Sequence, residues 1–258
     1  MRLLERPTDT GGLTLAVHAD ESLGNGTLPP ILLVHGMGSD HRTWRSFGST
    51  LRRNGRSVIA VDLRGHGRSG RSGDYALDSF AADLSFVLDE LEVAQAEVVG
   101  HSLGAHTALR LAMSEPARVR SLVLEEVPPM RYGLDDEIVV TAGFGEKVRG
   151  LGALLANPMP VIRFDRAVAD QVEKAFALAD PAWWDRLSAV SAPTLVISGG
   201  TRSFLPTEHL ADLSAALPEA RLEVIETGHS VHRDRRRKFA CVAGEFLSPS
   251  GGSRWPGR

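Results

Sequence analysis

The amino-acid sequence predicts an α/β fold with a mainly parallel, doubly wound sheet. Short β-rich apolar runs alternate with longer amphipathic segments along most of the 258 residues. Several of these runs are apolar almost throughout, as expected of strands that helices cover on both faces. Repeated strand–helix–strand alternation is typical of parallel sheets. These two observations define the expected architecture.

The apolar runs predict strands, and the amphipathic segments between them predict helices. The strand candidates are 13–19, 30–36, 57–63, 96–101, 121–126, 194–199 and 221–226. Before the candidate strand at 121–126, the clearest helical patterns are 77–93 and 103–119. The alternation then stops between Glu126 and Pro193, where no convincing strand occurs.

The strandless interval predicts a helical insertion, because a loop of that length without its own secondary structure is uncommon. Segments 136–157 and 164–179 have helical patterns within it. We therefore expect a core formed by 1–127 and 181–247, with the insertion at 128–180. The polar, glycine-rich tail 248–258 is expected to be disordered.

Composition excludes several classes of protein. A hydrophobic content of 43% is sufficient for one substantial core, and a net charge of −3 gives no support for a nucleic-acid partner. No apolar run approaches the roughly 20 residues that cross a bilayer, so no membrane association is expected. Cys241 is the only cysteine, and the N-terminal segment is charged where a signal peptide would be apolar. A cytoplasmic location is the resulting expectation.

The segment VVGHSLGAH, residues 98–106, places Ser102 between two glycines, after a strand and before a helix. This context is that of the G-x-S-x-G turn, which holds a serine in strained geometry at the carboxyl end of a sheet. A helix N-cap is the alternative role for such a serine. The strand–turn–helix setting favours a nucleophile, with the Leu103 amide beside the reaction centre.

A second turn follows the strand at 30–36 and carries His35-Gly36-Met37-Gly38. Its Met37 amide is expected to face the site opposite Leu103. Two such N–H donors would form an oxyanion hole for a tetrahedral intermediate. An ordinary glycine turn is the alternative.

Five motifs together carry a family resemblance. HGMG, VDLRGHGRSG, GHSLG, PTLVISG and ETGHSVH occur in the order seen in the α/β-hydrolase fold family, which the chain resembles except in the insertion and the tail. The resemblance implies a sheet of the α/β-hydrolase type with a helical lid at 128–180. It also implies that Asp62, Arg64 and Ser69 are scaffold residues of the turn after the third predicted strand.

The resemblance implies a base as well, because a serine hydroxyl needs a histidine to accept its proton. His229 follows the last predicted strand, where the family places this residue. His232 is the alternative, although it is expected to start the closing helix. His106 is expected to point into packing.

The acid departs from the commonest family pattern. Arg202 stands where an aspartate is usual, after the strand at 194–199. Some branches of the family, including haloalkane dehalogenases and zearalenone lactonases, take the acid from the end of the preceding strand. Alignment with that pattern places Glu126 in the role. Glu125 is expected to point to the opposite face, and its replacement by Gln to change little. Solvated strand-end glutamates are the alternative.

The insertion is rich in apolar residues, so its inner face is expected to line an apolar acyl or ring pocket. The candidate lining residues are Met130, Phe144, Leu154, Met159, Phe164 and Trp184. Nothing has the spacing of metal ligands or of a nucleotide site, so no metal and no cofactor is expected.

The sequence therefore predicts a serine hydrolase that cleaves a carboxylic ester, lactone or thioester of a small molecule. Three groups would form its catalytic triad: Ser102, His229 and Glu126. The same triad could instead serve carbon–carbon bond hydrolysis, perhydrolysis, or a lyase or cyclase step. Arg202 also leaves open an inactive ligand-binding protein on this scaffold. Substrate identity and oligomeric state remain open.

Overall fold

A computed structural model of the chain describes residues 1–8, 11–21, 23, 28–133 and 163–248. Within these ranges, eight strands form one sheet in the order β1-β2-β4-β3-β5-β6-β7-β8. The strands are β1 (Arg2–Thr8), β2 (Gly11–Ala19), β3 (Ile31–Val34), β4 (Val58–Val61), β5 (Ala96–His101), β6 (Val119–Glu125), β7 (Thr194–Ser198) and β8 (Ala220–Val224). Strands β3 to β8 pair in parallel, and β1 and β2 pair antiparallel. The predicted mainly parallel α/β fold is confirmed.

The helices of the described residues connect these strands on both faces of the sheet. They are α1 (Arg45–Arg53), α2 (Leu77–Glu90), α3 (Leu103–Ser114), α4 (Arg166–Ala177), α5 (Pro181–Arg186), α6 (Thr207–Ala216), α7 (Val231–Asp234) and α8 (Arg236–Phe246). Short 3₁₀ turns occupy His41–Trp44, Pro116–Arg118, Leu187–Ala189 and Gly200–Arg202.

Strand β1 is an element that the sequence analysis did not predict. Its residues alternate between exposed and half-buried, and it lies at the edge of the sheet against β2 alone. An edge strand buries little apolar surface, so the strong apolar signal of the inner strands is missing. The helix predicted at 103–119 was too long, because α3 ends at Ser114 and β6 begins at Val119.

Two apolar clusters, one on each face, bury the sheet. Along β3, Leu32 and Val34 belong to the cluster that contains α2, α3 and α4 residues. Ile31 and Leu33 belong to the other cluster, which contains residues of α1 and α8. Successive strand residues point to opposite faces, so a strand apolar throughout contributes to both clusters. The doubly wound arrangement follows from this pattern.

The turn after β4 is held by the scaffold residues that the resemblance implied. The Asp62 carboxylate accepts from the backbone N–H groups of His41 at 2.8 Å and Arg68 at 2.9 Å. The Ser69 hydroxyl accepts from the Ala16 amide at 2.9 Å. These contacts join the turn to β2 and to the segment after β3.

The two ends of the interval predicted as an insertion lie next to each other in the structure, at Arg131 and Ala179. A parallel β-bridge joins Arg131 to Ala179, and the Asp180 amide donates to the Arg131 carbonyl at 2.9 Å. The helix predicted at 164–179 is α4. The helix predicted at 136–157 lies outside the described residues, as do three predicted pocket residues, Phe144, Leu154 and Met159. The tail from 249 onward also lies outside them.

Among the helices of the described ranges, none combines the length and the hydropathy that a membrane span requires.

Buried charges join α2 to the turn after β4. Arg64, 1% exposed, makes a bidentate pair with the Asp83 carboxylate at 2.6 and 2.7 Å. Arg6 of β1 contacts the same carboxylate. One carboxylate of α2 therefore holds the edge strand and the turn together.

We expect Asp83→Asn to lower the free energy of unfolding by about 3–5 kcal/mol, because it leaves the buried Arg64 guanidinium without its main counter-charge. Asp89 on the same helix pairs with Arg118 and is 61% exposed, so Asp89→Asn should cost at most about 1 kcal/mol. Urea unfolding of both variants measures the difference. Equal losses would contradict the assignment.

Candidate active site

Ser102 occupies a strained backbone position between β5 and α3. Its φ of 52° and ψ of −119° lie where a residue with a side chain is rarely found, at a cost on the order of 1–3 kcal/mol. The Ser102 amide donates to the Glu125 carbonyl at 2.9 Å, which fixes the corner to the end of β6. The surrounding fold therefore holds the conformation that the G-x-S-x-G context predicts.

The two glycines of this motif are required by close backbone contacts. A Cβ atom on Gly104 would lie 2.4 Å from the carbonyl oxygens of Val34 and His35. A Cβ atom on Gly100 would lie 2.5 Å from the Ala105 Cα. The start of α3 can therefore pack directly against the end of β3, where the second predicted turn begins.

The two predicted oxyanion donors lie on these adjoining segments. Met37 is in the turn after β3, in which Gly38 has a φ of +70°. Leu103 is the first residue of α3. The first amides of a helix have no acceptor within the helix and carry the positive end of its dipole. Both residues are almost fully buried, so their amides border the protein interior.

Glu126 follows β6 directly and accepts three hydrogen bonds from two other loops. Its φ is +51°, and its side chain is fully buried. The carboxylate accepts from the Gly199 amide at 2.5 Å and from the Ser203 hydroxyl. The third contact joins Oε2 to Nδ1 of His229 at 3.0 Å. The structure thus brings together the acid and the base that the sequence analysis selected.

The loop after β7 explains the departure at Arg202. The Arg202 side chain is exposed, and the carboxylate that usually occupies this loop is replaced by donors directed at Glu126. Sequence reasoning missed Ser203 and Gly199 in this role. No sequence signal distinguishes these donors, since a loop serine and a glycine amide are common.

The His229 ring lies between two other rings. Its centroid is 4.1 Å from that of Phe204 and 4.8 Å from that of His101, the residue before Ser102. The Ser102 hydroxyl is buried and makes no hydrogen bond to any residue in the described ranges. Hydrogen bonds between a nucleophile and its base are often open in unliganded sites and close when substrate binds.

The environment of Glu125 is one that strand alternation did not predict. Its side chain does diverge from that of Glu126, but it is fully buried and pairs with Nδ1 of His232 at 2.8 Å. Burial raises its pKa to about 7. A buried, paired carboxyl group of this kind is not a site where substitution changes little. The alternative of solvated glutamates is excluded for both residues.

The remaining predicted residues lie near the two ends of the interval that the sequence analysis predicted as an insertion. The Met130 carbonyl accepts from Trp184 Nε1 at 2.9 Å, and Met130 is buried. Phe164 packs against the His66 ring at 4.9 Å between centroids. His106 is buried against Trp183, with the ring planes 8° apart, in accordance with its expected packing role.

Comparisons with known proteins agree with the observed fold. Residues 29–145 match the family model described as the alpha/beta hydrolase fold. The chain is 30% identical to 2-hydroxymuconate semialdehyde hydrolase of Pseudomonas sp. (strain CF600), over 85% of this chain and 87% of that protein. It is 26% identical to sn-1-specific diacylglycerol lipase of Mus musculus, over 87% and 83% of the two chains. A solved structure of an N-acyl homoserine lactone degrading enzyme is 25% identical, with a TM-score of 0.73 and coverage of 94% and 100%.

Five histidine side chains of the described residues are buried. Burial lowers the pKa of each, and they are His35, His66, His101, His106 and His232. In the unfolded chain their pKa values return to about 6.5. Below that pH the unfolded state binds more protons than the native state, so acid favours unfolding.

We therefore expect the free energy of unfolding to fall as the pH is lowered from 6.5 to 5, by more than the roughly 1.4 kcal/mol per pH unit that one proton supplies. Glu125 acts in the opposite direction, because its raised pKa lets the native state bind a proton between about 4.5 and 7. One carboxyl group is outweighed by five imidazoles. Urea unfolding across this range tests the expectation, and a flat or rising profile on acidification would contradict it.

Proposed function

Because the chain belongs to the α/β-hydrolase fold family, we propose that it is a serine hydrolase that cleaves a carboxylic ester, lactone or thioester through an acyl-enzyme on Ser102. One observation carries the proposal. The strained Ser102 corner directly follows His101, whose ring centroid is 4.8 Å from that of His229, and the buried Glu126 carboxylate contacts Nδ1 of His229. An activated nucleophile requires this arrangement.

The proposed reaction has two stages. Ser102 Oγ attacks the substrate carbonyl carbon while His229 Nε2 accepts the hydroxyl proton, and the Met37 and Leu103 amides stabilise the oxyanion. The imidazolium then protonates the leaving oxygen or sulfur, and the acyl-enzyme remains. In the second stage His229 takes a proton from water, hydroxide adds to the acyl carbon, and Ser102 Oγ recovers its proton as the acid is released.

Glu126 has a defined part in both stages. Its contact with Nδ1 selects the tautomer in which Nε2 can accept a proton, and its negative charge stabilises the imidazolium. The donors from Gly199 and Ser203 orient the carboxylate. The loop that usually supplies the acid would thus hold a carboxylate supplied by the neighbouring strand.

The substrate is proposed to be a small molecule with an apolar acyl or ring portion, held under a lid formed by 128–180. The described parts of that interval support an apolar environment, since Met130, Val168 and Phe176 are buried in the same cluster as Leu103. The relatives named as a diacylglycerol lipase and a lactone degrading enzyme act on carboxylic esters and lactones, which favours this bond type.

A second candidate is hydrolysis of a carbon–carbon bond. It is favoured by the 30% identity to a protein named 2-hydroxymuconate semialdehyde hydrolase. The compound in that name contains no ester or amide linkage, so its hydrolysis must break a carbon–carbon bond. Turnover of ring-cleavage dienoic acids without turnover of esters would select this candidate.

The proposal predicts stoichiometric labelling by a fluorophosphonate probe at Ser102. Ser102→Ala should abolish labelling and turnover of p-nitrophenyl esters and lactones and leave the circular dichroism spectrum and melting temperature nearly unchanged, since the strained corner gains little from the hydroxyl. Intact-mass and peptide mass spectrometry locate the label. Folded protein that neither reacts with the probe nor hydrolyses any ester or lactone would favour a ligand-binding protein instead.

The proposal also predicts that Glu126→Gln lowers kcat by about 10⁴-fold, because His229 loses its correct tautomer and its stabilised charge. Ser203→Asp in the Glu126→Gln background should restore part of the activity, since the Ser203 side chain already reaches the carboxyl position. Arg202→Asp is the matched control, because that side chain is exposed. If Glu126→Gln retains most of the activity, another group orients His229 and the proposed triad is wrong.

A further inference from the structure

A second glutamate–histidine pair, Glu125 and His232, lies beside the first. Glu125 precedes Glu126 by one residue, and His232 follows His229 by three residues. Glu125 Oε2 is 2.8 Å from Nδ1 of His232, and Oε1 accepts from the His232 amide at 3.0 Å. Thr43 Oγ1 lies 2.6 Å from Nε2 of the same ring. Glu125 and His232 are 0% and 4% exposed.

The protonation states of this group follow from its burial. Desolvation lowers the pKa of His232 well below its ordinary value, so the ring is neutral. Nδ1–H then donates to the Glu125 carboxyl group, and Nε2 accepts from the Thr43 hydroxyl. The Trp44 ring packs on the imidazole at 4.3 Å between centroids. Both ring nitrogens are therefore satisfied without water.

His101 joins this group to the catalytic histidine. Its Nε2–H donates to the His229 carbonyl at 2.7 Å, and its ring centroid lies 4.9 Å from that of His232. A Cβ atom on Gly36 would lie 2.6 Å from Nδ1 of His101. The ring thus lies between the turn that carries Met37 and the loop that carries His229.

We propose that Glu125, His232, Thr43 and His101 are positioning residues, which hold the loop 227–232 so that the His229 ring faces Ser102. This inference rests on the proposed function. Three of the four lie near a proposed catalytic element in the sequence: Glu125 precedes Glu126, His101 precedes Ser102, and Thr43 lies in the 3₁₀ turn that follows the oxyanion turn. His232 fixes the start of α7 through both its ring and its amide. The network therefore sets the distance between base, nucleophile and oxyanion donors.

A metal-binding site is the competing interpretation of three of these residues. One ligand atom from each of His101, Glu125 and His232 lies within 4.8 Å of the others. However, hydrogen bonds already engage His101 Nε2, both His232 ring nitrogens and both Glu125 oxygens. A metal ion on Glu125 and His232 would have to displace the hydrogen bonds of both residues in a buried region. Positioning accounts for the contacts as they stand.

The test substitutes two positions, Thr43 and Glu125, which differ in how much a change is expected to disturb folding. Thr43→Val keeps the side-chain shape and removes one hydroxyl donor, and Thr43→Ser returns that donor. Glu125→Gln keeps the size of the group and replaces one of the two oxygens that contact His232 with an amide nitrogen, which cannot accept a hydrogen bond. We expect kcat for p-nitrophenyl acetate to fall about two- to tenfold in Thr43→Val, the worth of one hydrogen bond, with KM unchanged and recovery in Thr43→Ser. In Glu125→Gln the fall should be about ten- to a hundredfold, because small misplacements of a catalytic group are costly.

A kinetic double-mutant cycle separates positioning from general structural damage. In the His229→Ala background, Thr43→Val and Glu125→Gln should change the residual rate less than twofold, because the group that they position is gone. Equal losses in both backgrounds would show that the effect does not pass through His229 and would overturn the inference. Unchanged kcat in folded Thr43→Val and Glu125→Gln would also overturn it. If Glu125→Gln does not fold, the two Thr43 variants decide.

Two further outcomes are distinguishable. If His229→Ala and Ser102→Ala themselves retain activity, the proposed function fails, whatever the network does. Stoichiometric zinc in the wild-type protein that is absent from Glu125→Gln, with activity lost on chelation and restored by zinc, would overturn the positioning role in favour of a metal site.

Discussion

The geometry of the site depends on the hydrogen bonds that the Glu126 carboxylate accepts. This carboxylate lies where β6 ends, and it accepts from the loop after β7 and from the loop after β8. The carboxyl ends of parallel strands share one edge of a sheet, so a single buried anion can reach three consecutive loops there. Removing an anion from water is costly, and hydrogen bonds from all sides compensate for that cost. The position of the imidazole follows from how those loops close around the charge.

Two adjacent glutamates have different histidine partners because their backbone conformations differ. Glu125 is the last residue of β6, whereas Glu126 has a positive φ that turns its side chain away from the strand direction. One therefore pairs with His232 and the other with His229. Both histidines lie in one short segment after β8, so the two pairs fix that segment at two points. A segment fixed twice has little freedom to rotate, which favours a preorganised site.

The sequence was sufficient to predict the inner strands and the main site residues, but not the edge strand or the hydrogen-bond partners of the site. Apolar runs predicted the inner strands, because burial on both faces leaves a strong signal, while β1 at the edge left almost none. Motif context selected Ser102 as the candidate nucleophile. The resemblance supplied His229 and Glu126, and the structure brings these two residues into contact. The partners Ser203, Gly199 and Thr43 could not be predicted, since their contribution depends on distances across loops. The pairing of Glu125 with His232 could not be predicted, because strand alternation gives the direction of a side chain but not its partner.

The bridge between Arg131 and Ala179 has a consequence for how this chain could have diversified. A segment whose two ends are tied together behaves like the tip of a long hairpin, and the entropy of closing such a loop grows only slowly with its length. Apart from α4, whose Val168, Val172 and Phe176 are buried in the core, the interval between those ends can change in length at little entropic cost to the rest of the fold. Descendants of one scaffold could thus acquire new substrate preferences by grafting, while the hydrogen-bonded machinery at the strand ends stayed untouched.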